Sequence, residues 1–194
     1  MNLFYFPGAC SLASHIALAE AGMSYRLVTI DMEKRTSDGR DFRAINPKGF
    51  IPALELDDGA VLAESLAILT YIADQAGILL PREGFGRWKV LEALSFMATE
   101  VHGNFKPFWK KAPDAEKDRS RALLLRHFAT LADELGGGPF LVGDRMTIAD
   151  AYLFVMLLWA ARHEIDVPEE LRTYAAQLKH VPSVARALAE EGLT

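Results

Sequence analysis

The chain has one cysteine, Cys10, in 194 residues. A single thiol excludes an internal disulfide framework and any Cys-x-x-Cys redox pair. It suits a reducing cytoplasm, where thiols stay free. Long apolar runs are missing too. The longest, residues 151–161, is eleven residues, and a membrane-spanning helix needs about 20. That run reads instead as a helix buried on all sides. The first residues lack a basic segment followed by an apolar stretch, so no signal peptide is read. Positive charge is scarce: 21 Lys and Arg stand against 26 Asp and Glu, for a net charge of −5. This argues against nucleic acid or an anionic membrane as the main partner. The five histidines are scattered, no cluster has metal-ligand spacing, and no metal is expected. No glycine-rich phosphate loop follows a strand. Internal repeats and low-complexity tracts are absent.

The most informative stretch is Asn46-Pro-Lys-Gly-Phe-Ile51-Pro52-Ala-Leu-Glu-Leu-Asp-Asp-Gly-Ala-Val-Leu-Ala-Glu64-Ser65. It reads as a turn, an Ile-Pro step into a strand, a hairpin, a second strand and a helix capped by Ser65. An X-Pro bond can be cis, because the tertiary amide nearly removes the trans preference. A cis bond at that step would turn the N–H and C=O of Ile51 outward, free to pair with an extended peptide. Glu64 and Ser65 stand at a helix N-terminus, which attracts carboxylates. Together these features fit a small extended peptide bearing an ammonium and carboxylates.

Hydrophobic residues make up 51% of the chain, enough for a sizeable core, and the length suits one large domain or two small ones. In the first part, strands are expected at 2–6 and 25–30, and a helix at 11–21 with Leu12, His15, Ile16 and Ala19 on its apolar face. Asp57-Asp58-Gly59 is a hairpin signal between strands 53–56 and 60–62. A helix follows at 65–75. Residues 77–86 turn to Gly, Pro and Leu and read as a linker. Beyond it only helices are expected, at about 87–110, 114–135, 147–163, 169–178 and 183–190. Pro113, the 136–139 Gly-Gly-Gly-Pro run, Pro168 and Pro182 separate them. Thr147-Ile-Ala-Asp150 is a capping box and reads as structural.

Five segments carry a resemblance. They are the opening through Gly8-Ala-Cys10-Ser11 and His15, Asn46-Pro-Lys-Gly, Ile51-Pro52-Ala-Leu, Glu64-Ser65, and Gly143-Asp-Arg-Met-Thr147-Ile-Ala-Asp150. In this order over the whole length they resemble a glutathione S-transferase of the bacterial beta class. The resemblance implies an α/β thioredoxin-like N-terminal domain at 1–76, the linker at 77–86, and an all-α domain at 87–194. It implies glutathione as co-substrate, a small electrophile as second substrate, and a homodimer. A long helix rich in Leu91, Leu94, Phe96 and Met97 would have a large apolar face to bury.

The resemblance assigns catalysis to Cys10 and His102. Cys10 precedes or opens the first helix, where a thiol pKa is lowered. It could meet the glutathione sulfur by hydrogen bond or as a mixed disulfide; a small buried hydrophobe is the alternative. Tyr5 or Ser11 as activator is a lesser possibility. His102 could donate to a thiolate or take the thiol proton near neutral pH. His15 reads as packed. Lys34 would face the glycyl carboxylate, with Arg35 as a substitute. Ile51 and Pro52 would hold the peptide backbone, and Glu64 and Ser65 the γ-glutamyl end. Ser95, Thr99 and Glu100 would contribute from the helical part. Gly103 stands where the family often has Lys, so that cation is missing. Phe105, Phe108 and Trp109 would line an electrophile pocket, or serve as plain core. The implied function is transfer of the glutathione thiolate to an electrophile. Two alternatives are a monothiol disulfide reductase or reductive dehalogenase using Cys10 covalently, and a non-catalytic transferase-like binding protein.

Overall fold

The structure is a computed structural model that describes residues 1–110 and 112–193. The chain divides into two compact units. One comprises Met1–Leu80 together with Val181–Thr194, the other Pro81–His180.

The first unit is built on a four-stranded sheet. Strand β1 is Asn2–Tyr5, β2 Arg26–Thr29, β3 Ala53–Glu55 and β4 Val61–Ala63, in the order β2-β1-β3-β4. β1 and β2 run parallel, with Leu3 opposite Leu27; β1–β3 and β3–β4 are antiparallel. The parallel pair needs a crossover, and helix α1, Ser11–Glu20, supplies it. A short helix α2, Phe42–Ile45, follows β2, and helix α3, Ser65–Ala76, follows β4. The expected hairpin forms, with Gly59 at φ 86°, a left-handed position that suits glycine. Phe4, Val28, Ile30, Phe42 and Ala53 make a buried cluster, with Ile51 packed against it.

Every residue of α1 from Ser11 to Leu18 is buried. An ordinary surface helix buries one stripe. The physical reason is helix α9, Pro182–Glu190, which packs on α1 together with α3. The structure thus groups residues 181–193 with the sheet, whereas the sequence reading placed them in the all-α part. Pro182 does begin α9, as its fixed φ favours at a first helical turn.

The second unit is helical. Helix α4 is Phe85–Phe96 and starts inside the expected linker. The single helix expected at 87–110 is broken. A π-helical turn at Met97–Val101 and a 3-10 turn at His102–Phe105 intervene before the short helix α5, Lys106–Trp109. Pro107 accounts for the break. It has no N–H, and its ring would clash with the carbonyl four residues back, at Gly103. Gly103 is itself a weak helix former. Helices α6, Asp114–Leu135, α7, Ile148–Arg162, and α8, Glu169–Leu178, complete the unit. α7 is buried along nearly its whole length, from Ile148 through Leu157, as its apolar run implies. No helix among the described residues is long and apolar enough to cross a membrane.

The capping box at Thr147 forms as expected, and its reach is wider than the motif. Asp150 is fully buried. Its carboxylate accepts from the Thr147 amide at 2.6 Å, the Thr147 hydroxyl at 2.7 Å and the Leu141 amide at 2.7 Å. The Tyr174 hydroxyl of α8 donates to it as well. One carboxylate therefore joins the loop before α7, the α7 start and α8.

Candidate active site

In the first unit the Cys10 thiol lies at the N-terminus of α1, only 8% exposed. Its Sγ is 3.5 Å from the Ile51 carbonyl oxygen. The Ile51–Pro52 bond is cis. The Ile51 carbonyl thus faces the thiol, and the Ile51 amide finds no acceptor among the described residues. Of the two Ile51 backbone groups expected to point outward, the carbonyl is instead engaged by the Cys10 thiol.

Burial pushes the Cys10 thiol up to about 11. Hydrogen bonds from the Ser65 hydroxyl and the Cys10 and Ser11 amides pull the other way, and the Glu64 charge adds to the rise. The helix-terminal donors act as the sequence reading expected, but loss of water outweighs them. The free protein therefore holds a thiol here, not a lowered-pKa thiolate.

Ser65 is not the cap of α3. Glu64 occupies the cap position in a left-handed conformation, φ 76°, and Ser65 is the first helical residue. A non-glycine residue held there is strained, and such strain collects at ligand sites. The turn directs the Ser65 hydroxyl toward Cys10 and leaves the Glu64 carboxylate exposed, paired with Lys48 at 2.8 Å. Both partners are more than half exposed, so the pair is weak. Lys34 stands on the 31–41 loop, half-buried, at φ 68°, and no hydrogen bond joins it to the Cys10 group. Arg35 is exposed on the same loop. Tyr5 is buried, and burial followed by the charges of Glu191 and Glu190 raises its hydroxyl pKa. This disfavours Tyr5 as an activator.

In the second unit His102 opens the 3-10 turn. Its Nδ1 lies 2.7 Å from the Tyr152 hydroxyl, and its ring meets Trp159 edge-on at 5.0 Å and Trp109 at 5.9 Å. Burial, and then the Lys106 charge, push its pKa down to about 4. The ring is neutral at pH 7 and a poor base there. The direction of the Tyr152 hydrogen bond follows the ring tautomer.

Ser95, Thr99 and Glu100 are exposed on the segment before His102. The Thr99 hydroxyl donates back to the Ser95 carbonyl at 3.1 Å. Phe105 does not line a pocket: it is fully buried, stacked on Trp109 at 6.2 Å and edge-on to Trp159 at 5.4 Å. It is plain core. Phe108 is half-buried beneath Arg121, and Trp109 is 48% exposed. Tyr152 and Trp159 are the residues that sequence reasoning missed. They lie in the apolar run of α7 and were read only as core. Their aromatic polar tips were the available signal. Among the described residues no group of three His, Cys, Asp or Glu side chains could hold a metal ion.

The N-terminal domain of glutathione S-transferases matches residues 8–75, and their C-terminal domain matches residues 114–181. Glutathione S-transferase GstA of Escherichia coli O157:H7 is 42% identical over the full length of both chains. A sphingomonad glutathione S-transferase solved with glutathione is 41% identical, covers 100% of both chains and has a TM-score of 0.91. The beta-class enzyme of Sphingomonas chungbukensis is 39% identical with the same coverage and a TM-score of 0.92. The chain belongs to the glutathione S-transferase family. Its place is among the bacterial beta-class enzymes, and the thioredoxin-like sheet followed by helices is that architecture.

Proposed function

We propose that the protein binds glutathione in extended form and directs its thiolate at a small electrophilic carbon. One observation carries this reading: the Cys10 thiol, the Ser65 hydroxyl and the Ile51 carbonyl converge beside a free Ile51 amide. The peptide backbone pairs with Ile51 as an added strand would. The glutathione ammonium replaces Lys48 as the partner of Glu64, an exchange that is easy because the existing pair is exposed. Cys10 donates one hydrogen bond to the glutathione sulfur, and as a high-pKa thiol it does so without ionising. Donors favour the thiolate over the thiol, and the released proton passes to solvent. The thiolate then attacks carbon and the leaving group departs with its electron pair. A reducing cytoplasm suits a site built around one free thiol.

Ser65→Ala tests the assignment. Its hydroxyl reaches toward the Cys10 thiol, closer to the reacting sulfur than a γ-glutamyl contact alone requires. Binding of glutathione should weaken about five- to tenfold, from one lost hydrogen bond worth roughly 1–1.4 kcal/mol, and kcat should fall by less than threefold. Isothermal titration with glutathione and steady-state kinetics read the two separately. Unchanged affinity would remove Ser65 from the site.

The working form is proposed to be a homodimer. Of the apolar residues that motivated this from sequence, Leu94 and Met97 are fully buried. On α4 the exposed large apolar side chains are Phe85, at 77%, and Trp88, at 62%, one turn apart. Sedimentation should give a dimer at micromolar concentration, and Trp88→Glu should shift it toward monomer.

A further inference from the structure

The loop that delivers Cys10 is tied to the C-terminal end of the same unit. Gly8, at φ 70°, sits in the turn where the Ala9 amide donates to the Phe6 carbonyl at 3.0 Å. The Gly8 amide donates to Glu191 Oε2 at 2.8 Å. The other oxygen of the same carboxylate, Oε1, is 3.0 Å from His15 Nδ1. His15 lies one turn into α1 beyond Cys10 and is fully buried. Glu191 is 6% exposed at the end of α9. Its carboxylate therefore bridges the loop before Cys10 and the helix after it. The neighbouring Glu190 is different. It is 2.7 Å from His15 Nε2 and accepts from Tyr25 and Arg186, but makes no bond to the loop.

We infer that Glu191 is a positioning residue for Cys10, holding the 6–10 loop closed so that the thiol keeps its place beside Ile51 and Ser65. The consequence for catalysis rests on the reading of Cys10 as the group that meets the glutathione sulfur. The physical effect does not. Burial is the main cause of the high thiol pKa, and a loosened loop admits water to the thiol. The thiol should then ionise at lower pH and react more readily.

The test is alkylation of the whole protein by iodoacetamide, without glutathione, from pH 7 to 10. Glu191→Ala should lower the thiol pKa by about one unit, read in this range as a faster rate below the midpoint. Ten times more thiolate, set against its lower nucleophilicity, raises the rate at pH 8 about threefold, and better access raises it further. Glu191→Gln keeps a carbonyl oxygen for the Gly8 amide but sets an amide NH2 against His15 Nδ1, so it should change the profile less than Glu191→Ala. Glu190→Ala, which loses contacts to His15, Tyr25 and Arg186 but none to the loop, should stay within twofold of wild type. An unchanged profile in folded Glu191→Ala overturns the inference, as does an equal change in Glu190→Ala or in Glu191→Gln. If Glu191→Ala does not fold, hydrogen exchange at the Gly8 amide of the wild-type protein decides. Protection comparable to α1 amides supports the tether, and exchange at the rate of free backbone overturns it. The altered profile with no glutathione binding would leave the tether standing and sink the functional reading. Normal binding with an unaltered profile would do the reverse.

Discussion

Cys10→Ala should abolish mixed-disulfide formation and thiol exchange while leaving conjugation within about tenfold of wild type. The two activities make different demands on the same sulfur. Exchange with glutathione disulfide needs the Cys10 thiolate to attack one sulfur, form a new S–S bond and release glutathione thiolate. The chain has no second cysteine to take that role. Conjugation needs only that the glutathione thiolate be favoured, and on the proposed reading the Ser65 hydroxyl shares that task with Cys10. One neutral hydrogen bond is worth roughly 0.5–1.5 kcal/mol, at most about tenfold in rate. The high thiol pKa points the same way, because a thiol near 11 is a better donor than nucleophile at pH 7. Conjugation kinetics with an aryl halide, together with intact-mass analysis after glutathione disulfide treatment, measure both activities. Complete loss of conjugation in a folded Cys10→Ala protein would refute shared activation.

Asp150→Ala should cost about 3–6 kcal/mol of stability, enough to leave much of the protein unfolded at 37 °C. The substitution strips the acceptor from the Leu141 amide, the Thr147 amide and the Tyr174 hydroxyl, all in a fully buried site. Each buried donor left unpaired costs about 1–3 kcal/mol, and domains are stable by only about 5–15. An ordinary cap loss is about 1 kcal/mol; the excess comes from Leu141 and Tyr174. Tyr174→Phe should therefore cost about 1–3 kcal/mol alone. Urea unfolding at constant m value tests both. A loss of about 1 kcal/mol in Asp150→Ala would show that the carboxylate acts only as a helix cap.

Much of this site was legible because its signals are local. Ile51-Pro52, the Asp57-Asp58-Gly59 hairpin and the Thr147–Asp150 box each constrain a few adjacent dihedrals, and the structure forms all three. Pro107 was an equally local signal, and it marks where the long helix breaks. Ser65 was misplaced by one residue, because a Glu in the left-handed region is not what a cap pattern suggests.

The sequence by itself determined the order of strands and helices, the cis-capable step and the helix starts, since hydrophobic spacing and turn chemistry act over a few residues. Tertiary structure alone decided what burial and distant partners set. It raised the Cys10 thiol where the helix terminus argued for lowering it, and lowered His102 among Tyr152, Trp159 and Trp109. It placed Phe105 in the core and set α9 against α1. Gly8 and Glu191 are 183 positions apart in the chain, and no pattern of neighbours along the sequence encodes their meeting. Desolvation is summed over every atom that packs around a group, so its sign at Cys10 could be read only once the chain had folded.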